Sequence, residues 1–320
     1  MPAVVAIAVV SWNTRDLLDA CLASMRPDAV AGLAEVWVVD NGSSDGSTEM
    51  VREKHSWVKL MIPEENLGYG PAVNRVAEQT DTPWIIASNA DIKVAPGAMW
   101  ALVEVGLNDA RSGVIGPRLI LDDGSTQPSV QPFPSVANAL LRNLWVHKLS
   151  RRFGERLSLA GSWDPTQPAV VDWVTGAFML IRRETYEQIG GFDESQWMYA
   201  EDLDICWRTR EAGWNVHYAP GARVHHALSV AAEKAFGDLD HRSRKMIRQD
   251  YAWLERRKGL AWAWAIGTAE VSTLLLRRTL LSLAGASTAN KVAEADRLLS
   301  LHRSGVRELR RLSPARTASD

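Results

Sequence analysis

The amino-acid sequence predicts an α/β fold with a mostly parallel central sheet that is flanked by helices. Two observations support this fold class. Short apolar segments rich in β-branched residues alternate with longer segments of helical period, and polar residues follow the apolar segments. Strands that alternate with helices pair in parallel, are buried on both faces and bind ligands beyond their carboxyl ends.

The first half of the chain is the regular part of this pattern. Its first segment is short, apolar and valine-rich, as buried strands are, and Asn13 or Thr14 can cap the helix that follows. In order, we predict strands at 4–12, 35–40, 57–63 and 84–88 and helices at 14–25, 47–55 and 70–79. The polar residues at the strand ends should share one crevice; they are Ser11, Trp12, Asn13, Asp40, Asn41, Asn66, Asn89 and Asp91.

After about residue 112 the alternation is less regular. A strand and a turn are predicted at 113–125, and the Pro-rich stretch that continues to about 168 indicates loops around a helix. An apolar strand returns at 171–181, two helices bracket GGFDESQWMYAED, and WNVHYAP and ARVHHALS are predicted as strand pieces. From about 233 the chain is helical in pattern almost to its end. We therefore predict a first domain at 1–232 and a helical C-terminal region at 233–320.

The composition is that of a globular protein. The chain has 320 residues, 46% of them hydrophobic, which is enough for a sizeable core. The two cysteines, Cys21 and Cys206, lie in predicted helices, which disfavours a disulfide framework or a zinc cluster and favours a reducing compartment. The apolar N-terminus has no basic segment and no small-residue cleavage site, so we interpret it as a strand. We expect a cytoplasmic protein without a nucleic-acid partner.

Charge is distributed unevenly along the chain. Residues 1–240 carry a net charge of −11 and residues 241–320 a net charge of +9, which together give the −2 of the whole chain. An acidic body with a basic tail indicates that the tail has a partner of its own, although a solvated surface would have the same composition.

The segment 259–286 is the most apolar part of the basic region. Glu270 and the pair Arg277-Arg278 interrupt it, which disfavours a membrane-spanning helix. Its tryptophans and its basic surroundings favour an interfacial helix on the inner face of the plasma membrane; the tryptophans of this region are Trp253, Trp262 and Trp264. A helical hairpin packed on the protein itself, or on a second subunit of a homodimer, is the alternative.

Asp40 ends a predicted strand and precedes a Gly/Ser loop. A carboxylate in this position can accept hydrogen bonds from a nucleobase or a ribose, and it can also cap the following helix. The chain contains no P-loop sequence G-x-x-x-x-G-K-[ST]. The nearest approach to a dinucleotide fingerprint, GYGPAV at 68–73, lacks the third glycine and follows the third strand. These absences argue against a P-loop enzyme and a Rossmann dehydrogenase.

Asn89-Ala90-Asp91 and the histidines of VHHALS are candidate metal ligands. A hard divalent cation takes oxygen ligands, often from only one or two carboxylates, and completes its shell with phosphates and water. Asp91 could therefore suffice if one further ligand came from elsewhere in the chain. His225 or His226 could supply it, more naturally for Mn²⁺ than for Mg²⁺. A plain turn at Asp91 is the simpler alternative.

Three acidic residues lie within four positions at the start of a predicted helix, in YAEDLDICWR. The helix dipole favours acids in a first turn, and Asp204 and Arg208 are spaced to form an ion pair. Glu201 and Asp202 remain. A carboxylate held near a sugar hydroxyl can act as a general base.

These features, in this order, resemble the inverting family 2 glycosyltransferases with the GT-A fold. Within that family the chain is most similar to bacterial rhamnosyltransferases that act on lipid-linked cell-wall or polysaccharide intermediates. The resemblance covers about residues 4–230 and is carried by SWN, VVDNGSSDGS, ENLGYGPAVN, SNAD, DWVTGAFMLIRR, GGFDESQWMYAEDLDICWR and VHHALS. The family's acidic DxD metal motif appears here as Asn89-Ala90-Asp91, with an amide in its first position.

The resemblance implies roles for particular residues. Asp202 would be the general base, and Glu201 would orient it or bind the acceptor. Asp91 and His226 would hold Mg²⁺ or Mn²⁺; His226 is preferred to His225 because it lies six residues after Pro220. The implied contacts to the donor or to the donor–acceptor junction are Ser11, Trp12, Asn13, Asp40, Asn41, Asn66, Gly68, Asn74, Asn89, Thr175 and Gly176.

The implied reaction is transfer of a sugar, with inversion, from a nucleotide-sugar to a hydroxyl of a glycan or a polyprenyl-diphosphate-linked saccharide. The nearest branch implies dTDP-L-rhamnose as donor, and a UDP-sugar-dependent hexosyl- or galactofuranosyltransferase is the alternative. A non-catalytic sugar-nucleotide-binding protein would have no need of Asp202. A nucleotidyltransferase would need basic residues near the first loop, where only Arg15 occurs.

Overall fold

A computed structural model of the chain describes residues 3–144, 163–196, 199–227 and 239–312. Several sequence predictions therefore fall partly outside the described residues: the loops at 145–162, Trp197 and Met198, the helical start at 233–238 and the tail from 313. Contacts divide the chain into two compact units, one of 1–131 with 164–235 and one of 132–163 with 236–320. The predicted domains, 1–232 and 233–320, stay a prediction; the segment 132–163 groups with the C-terminal helices.

The elements of the first unit alternate as the sequence pattern indicates. Its strands are β1 (Val5–Ser11), β2 (Ala34–Asp40), β3 (Lys59–Met61), β4 (Trp84–Asn89), β5 (Ile92–Val94), β6 (Ser112–Ile120), β7 (Val130–Gln131), β8 (Ala169–Val171), β9 (Trp173–Val174), β10 (Phe178–Arg182) and β11 (Asn215–His226). Its helices are α1 (Arg15–Val30), α2 (Ser47–Lys54), α3 (Gly70–Ala77), α4 (Ala98–Asn108), α6 (Arg183–Ile189) and α7 (Glu201–Glu211); α5 (Val136–Asn143) belongs to the other unit.

Within the described residues, one sheet runs in the order β3-β2-β1-β4-β10-β6-β11-β5, and β8 also pairs with β11. The strands β3, β2, β1 and β4 are parallel, as are β6 and β11. The α/β class with a parallel centre flanked by helices is thus confirmed. The sequence pattern did not reveal that β10 is antiparallel to β4 and β6, or that β5 is antiparallel to β11.

The register of the parallel strands brings their carboxyl ends together. Ser11 of β1 pairs with Asp40 of β2, and Val10 of β1 pairs with Asn89 of β4. These strands form the centre of the hydrophobic core, since Ile7, Val9 and Ile86 are fully buried. The polar groups that follow them therefore emerge at one edge of a rigid layer, where ligands of parallel sheets bind.

The two predicted strand pieces near residue 220 are a single strand, β11. Its register against β6 shifts between Ala219 and Arg223. Pro220 lies at this shift and has no N–H to donate to the ladder, which accounts for the irregularity. Beyond the shift, His226 pairs with Ile92 of β5, the residue after Asp91. The irregular strand thereby brings a histidine beside the end of β4.

The second unit is helical in its described part. It contains α5 (Val136–Asn143), α8 (Leu239–Lys258), α9 (Leu260–Leu283) and α10 (Ala289–Leu312). Glu270 of α9 is buried and pairs with Arg142 of α5, while Asn143 Nδ2 donates to Glu270 Oε2 at 2.6 Å. A buried carboxylate needs such partners, and they attach α5 to α9.

The helices of the second unit correct one detail of the sequence analysis. Trp253, which was predicted to lie at a membrane interface, is fully buried, whereas Trp262 is largely exposed. Glu270 interrupts the apolar pattern of α9 but lies on its buried side. Among the described helices, none combines the length and apolarity that crossing a bilayer requires. Cys21 and Cys206 are buried free thiols, so neither forms a disulfide.

Candidate active site

The loop after β1 is tied to the loop after β2. Asn13 has a left-handed backbone (φ +53°), a conformation that asparagine tolerates better than most residues. Its N–H donates to Ser43 Oγ at 2.8 Å, and its Oδ1 accepts from the Ser44 N–H at 2.8 Å. Ser11 Oγ lies 3.0 Å from Thr14 Oγ1, and Trp12 is exposed at the rim. The predicted residues Ser11, Trp12 and Asn13 thus lie at the carboxyl end of β1, next to the loop after β2.

Asp40 folds the second loop with one carboxylate oxygen and leaves the other without a partner. Its Oδ1 accepts from the N–H groups of Gly42 (3.1 Å) and Ser43 (2.7 Å). Its Oδ2 is buried and accepts no hydrogen bond from any described residue. Asp40 does not cap α2, because Asp45 Oδ1 accepts from the Ser47 N–H instead. A buried carboxylate oxygen without a donor costs about 1–3 kcal/mol, which a ligand N–H would recover.

The loop after β3 is held against the end of β2 by two predicted site residues. Asn41 Nδ2 donates to the Gly68 carbonyl at 3.0 Å, and Asn41 Oδ1 accepts from the Leu67 N–H at 3.2 Å. Asn66 Oδ1 accepts from the Gly68 N–H at 2.9 Å. The structure therefore brings Asn41, Asn66 and Gly68 to the same edge as Asp40.

Asn74, a predicted contact of the donor, is hydrogen-bonded to other protein groups. Its Nδ2 donates to the Phe192 carbonyl (3.0 Å) and to Glu194 Oε1 (3.1 Å), and its Oδ1 accepts from the Phe192 N–H (2.9 Å) and the Tyr186 hydroxyl. A Cβ on Gly191 would lie 2.8 Å from Asn74 Oδ1, so this turn requires glycine. Both the Nδ2 and the Oδ1 atom of Asn74 thus form hydrogen bonds within the protein. The predicted contact of Asn74 with a nucleotide stays a prediction.

Asp91 and His226 lie side by side at the end of β4. Both are buried, and Asp91 Oδ1 lies 3.4 Å from His226 Nε2. Asp91 Oδ1 accepts no hydrogen bond from the residues that the structure describes. The Ala227 N–H donates to the Asp91 carbonyl at 2.9 Å and holds the two segments together. His225, the alternative ligand, is exposed on the opposite side of β11.

The donor set of Asp91 and His226 fits a divalent cation. A buried carboxylate oxygen that lacks a donor stands next to an imidazole nitrogen, and this combination suits Mn²⁺ or Mg²⁺. No group of three or more His, Cys, Asp or Glu side chains with metal-binding geometry occurs in the described part of the chain. A cation here would therefore take its remaining ligands from phosphate oxygens and water. Asn89, two residues before Asp91, is half-buried.

Asp202 is held by two backbone N–H groups. Gly176 N–H donates to its Oδ2 at 3.0 Å, and Leu203 N–H donates to its Oδ1 at 2.8 Å. A Cβ on Gly176 would lie 3.1 Å from the Cβ of Asp202, so glycine permits this close approach. Thr175 is fixed by its own N–H, which donates to the Ser129 carbonyl at 2.9 Å. The predicted residues Thr175, Gly176 and Asp202 thus form one contiguous group.

The backbone just before the acidic pair is strained. Tyr199 (φ +69°) and Ala200 (φ +63°) both occupy the left-handed region, which non-glycine residues adopt at a cost of order 1–3 kcal/mol and often at functional sites. Asp204 is buried and pairs with Arg208 at 2.6 Å, so this acid has the structural role that its spacing allowed. Glu201 and Asp202 are the acids left for chemistry.

Burial changes the proton affinity of the acidic pair. It raises the pKa of Glu201 to about 8, with the charge of Asp202 contributing in the same direction. Burial also raises the pKa of Asp202, against the lowering effect of the N–H groups of Gly176 and Leu203. Carboxyl groups with raised pKa values are typical of general acid–base sites.

Two neighbours of this site were missed by sequence reasoning. Burial raises the pKa of the Tyr69 hydroxyl, and the charges of Glu201, Asp202 and Asp91 raise it further, so Tyr69 lies near all three acids. Gln127 contacts His226. The tyrosine of NLGYG was a visible signal, since a buried tyrosine usually needs a hydrogen-bond partner. Gln127 had no signal of its own in the sequence.

The fold is that of a glycosyltransferase of the GT-A type. The chain matches the family model described as "Glycosyltransferase like family 2" over residues 2–252. It therefore belongs to the family 2-like glycosyltransferases.

Particular relatives refine the comparison. The chain is 31% identical over 301 residues to the N-acetylglucosaminyl-diphospho-decaprenol L-rhamnosyltransferase of Mycobacterium tuberculosis, which covers 88% of this chain and 95% of the relative. It is 34% identical over 92 residues to rhamnosyltransferase WbbL of Escherichia coli, which covers 29% of this chain and 34% of the relative. A mannosyltransferase from Pyrobaculum calidifontis, solved with GDP-Man and Mn²⁺, superposes with a TM-score of 0.59 at 18% identity over 96% of this chain and 86% of that chain, which shows the fold alone.

Proposed function

We propose that this glycosyltransferase is metal-dependent and transfers L-rhamnose, with inversion, from dTDP-L-rhamnose to a hydroxyl of a lipid-linked saccharide. The observation that carries the metal-dependent chemistry is the buried pair of Asp91 Oδ1 and His226 Nε2, 3.4 Å apart. The choice of sugar and acceptor rests on the relatives, two of which are named as rhamnosyltransferases and one of those as acting on a diphospho-decaprenol-linked sugar.

The nucleotide would lie along the carboxyl ends of β1, β2 and β4. Asp40 Oδ2, which lacks a donor among the described residues, would accept the ring N–H of a thymine or uracil base. Asn89 would lie near the ribose or the diphosphate. The uracil of a UDP-sugar would present the same N–H. The two candidate donors therefore differ in their sugar and in the methyl group that thymine has and uracil lacks.

The transfer needs one base and no enzyme nucleophile. The acceptor oxygen attacks the anomeric carbon opposite the nucleoside diphosphate, whose bond to that carbon breaks as the new glycosidic bond forms. Asp202 accepts the proton of the attacking hydroxyl, and the N–H groups of Gly176 and Leu203 keep its carboxylate in place. A cation held by Asp91 and His226 would neutralise charge on the departing diphosphate.

Glu201 would assist by staying neutral. With its pKa raised to about 8 it carries a proton at neutral pH, so the negative charge of the pair resides on Asp202. A protonated Glu201 can also donate a hydrogen bond to the acceptor. This division of roles between adjacent carboxyl groups follows from their different surroundings.

A lipid-linked acceptor would be reached by peripheral contact with the membrane. Of the five large apolar side chains of α9 that are exposed, four recur on one side of the helix; they are Trp262 (56%), Leu276 (48%), Leu280 (50%) and Leu283 (80%). The last turn of α8 adds the basic residues Arg256, Arg257 and Lys258. Exposed apolar residues and basic residues on consecutive helices suit the interface of an anionic bilayer.

The proposal is tested by calorimetric binding of dTDP and UDP to the purified protein, first with Mn²⁺ and then with EDTA. We expect tighter binding of dTDP and loss of that binding in EDTA. Tighter binding of UDP would change the donor to a UDP-sugar. Absence of binding in a folded sample would contradict the proposal.

The catalytic part is tested by Asp202→Asn. This change should leave dTDP binding intact and lower transfer by about 10²–10⁴-fold, the usual contribution of a general base. Undiminished turnover would place the base elsewhere. Wild-type protein that binds dTDP but transfers no sugar to any lipid-linked saccharide would instead favour a non-catalytic sugar-nucleotide-binding protein.

A further inference from the structure

Gln127 lies in a tight hairpin at the end of β6. The hairpin closes through the N–H of Leu121, which donates to the Ser125 carbonyl at 2.9 Å, and the Gln127 N–H donates to the Leu119 carbonyl at 2.9 Å. Leu119 itself pairs with Val224 of β11. The backbone of Gln127 is thus fixed beside the strand that carries His226, and its side chain is buried.

The amide of Gln127 faces the ring nitrogen of His226 that is remote from Asp91. Gln127 Oε1 lies 2.8 Å from His226 Nδ1, while His226 Nε2 lies 3.4 Å from Asp91 Oδ1. A carbonyl oxygen only accepts hydrogen bonds, so the proton of the neutral ring belongs on Nδ1. Nε2 is then unprotonated, and its lone pair and the Asp91 Oδ1 atom 3.4 Å away are two electron-rich groups in the same buried space.

We propose that Gln127 is a positioning residue that keeps His226 in the Nδ1–H tautomer, so that Nε2 is available to a divalent cation shared with Asp91. This inference rests on the metal-dependent transfer proposed above. Hydrogen bonds to the second nitrogen of a metal-binding histidine commonly fix its tautomer and orientation, and their loss costs about 10–100-fold in metal affinity.

The alternative tautomer explains why such a residue is needed. With the proton on Nε2, His226 would donate to Asp91 Oδ1, and the charged carboxylate is a stronger acceptor than an amide. His226 and Asp91 would then be hydrogen-bonded to each other, and Nε2 would have no lone pair for the cation. Gln127 opposes this self-pairing because its carbonyl loses its donor if the proton moves.

The first experiment locates the proton. Long-range ¹H–¹⁵N NMR of the metal-free protein, at a pH well above the ordinary histidine pKa, distinguishes the two tautomers, and His226→Ala assigns the signal among the seven histidines. We expect the Nδ1–H pattern in the wild type and the Nε2–H pattern in Gln127→Met, which keeps the side-chain length but removes the acceptor. A wild-type Nε2–H pattern would overturn the inference.

The second experiment measures Mn²⁺ affinity by electron paramagnetic resonance, with and without dTDP. Gln127→Met should weaken Mn²⁺ binding by about 10-fold or more, whereas Gln127→Glu, which retains an acceptor, should not. Gln131→Met is the matched control, because Gln131 lies four residues further along and donates to the Pro128 carbonyl at 3.3 Å.

Asp91→Asn separates the two proposals. If Asp91→Asn loses Mn²⁺ but Gln127→Met binds it like the wild type, the role of Gln127 is wrong and the metal site stands. If Asp91→Asn also binds Mn²⁺ like the wild type, the metal site itself is wrong, and the inference fails with it.

Discussion

Tyr69 donates a hydrogen bond of 2.6 Å from its hydroxyl to the carbonyl oxygen of Gly176. The N–H of Gly176 in turn donates to Asp202 Oδ2 at 3.0 Å. The side chain that precedes α3 is therefore two hydrogen bonds away from the proposed base. Because Tyr69 belongs to the loop that packs against Asn41, this connection links the proposed nucleotide site to the proposed base.

Replacement of Tyr69 by phenylalanine should misplace the base without altering the donor site. The Gly176 carbonyl would lose a buried donor, and small displacements of catalytic groups lower rates by up to about 10²-fold. We expect kcat to fall by about 10-fold or more while the calorimetric Kd for dTDP is unchanged. Tyr251→Phe, which removes a buried hydroxyl 3.0 Å from His302 Nδ1 in the second unit, should lower stability and leave kcat intact. Equal losses of kcat in both variants would contradict the coupling.

The free energy of unfolding should depend on pH through Glu201. Its pKa is about 8 in the folded protein against 4.5 in the unfolded chain. As pH rises from 4.5 to 8, the unfolded chain releases this proton first, so the stability that Glu201 contributes at low pH is lost across that window.

The variant Glu201→Gln removes this dependence. Relative to the wild type, it should gain stability steadily as pH rises through the same window, on the order of 1 kcal/mol per pKa unit. Denaturant unfolding at several pH values measures the difference. The exposed Glu104 of α4 offers a Glu→Gln control for the loss of a carboxylate as such. A constant difference between the two proteins at all pH values would show that burial does not perturb Glu201.

The adjacent histidines of β11 form a natural pair of test and control. His226 is buried next to Asp91, whereas His225 is exposed. His226→Ala should abolish the part of dTDP binding that depends on Mn²⁺, and His225→Ala should retain it, as measured by calorimetry with and without EDTA. The opposite result would make His225 the ligand, and equal retention would remove histidine from the metal site.

Membrane contact should depend on the exposed side of α9. Replacing Leu280 and Leu283 by aspartate places charge on this side and should lower co-sedimentation with anionic vesicles several-fold, since each buried apolar side chain contributes about 1.5–3 kcal/mol. Transfer to a short-chain soluble acceptor should be unchanged. Leu107→Asp in α4 is the control, because Leu107 is also largely exposed (63%). Unchanged sedimentation of the α9 variant would assign that surface to another partner.

Much of the fold could be predicted because buried parallel strands have an unmistakable pattern. The segments of β1, β2 and β4 are continuous apolar runs that end in polar residues, and their parallel register places those residues together. β5 was missed because its three residues directly follow the polar residues at the end of β4 and do not form a separate apolar run. Its pairing with β11 depends on a distant partner, and this pairing creates the proximity of Asp91 and His226.

Candidate site residues could be named from the sequence where a side chain has a signal of its own, and not where its role depends on contacts with other residues. Asp40 and Asp202 stand out as acids at element boundaries. Gln127 has no such signal, since its relation to His226 exists only after the hairpin has formed. Trp253 was misjudged for a similar reason: amphipathic aromatic residues suit a membrane interface and a protein core equally, and only packing decides between them.

The interaction of Asn143 with Glu270 spans 127 residues of sequence, and this separation has a consequence during synthesis. At about 5–20 residues per second, α5 would leave the ribosome roughly ten seconds before α9 is complete. In that interval Asn143 and Arg142 lack the carboxylate of Glu270, and α5 lacks α9, the helix against which it packs. The second unit therefore stays incomplete until the C-terminal helices have been synthesised. C-terminal truncations should yield chains that aggregate or engage chaperones.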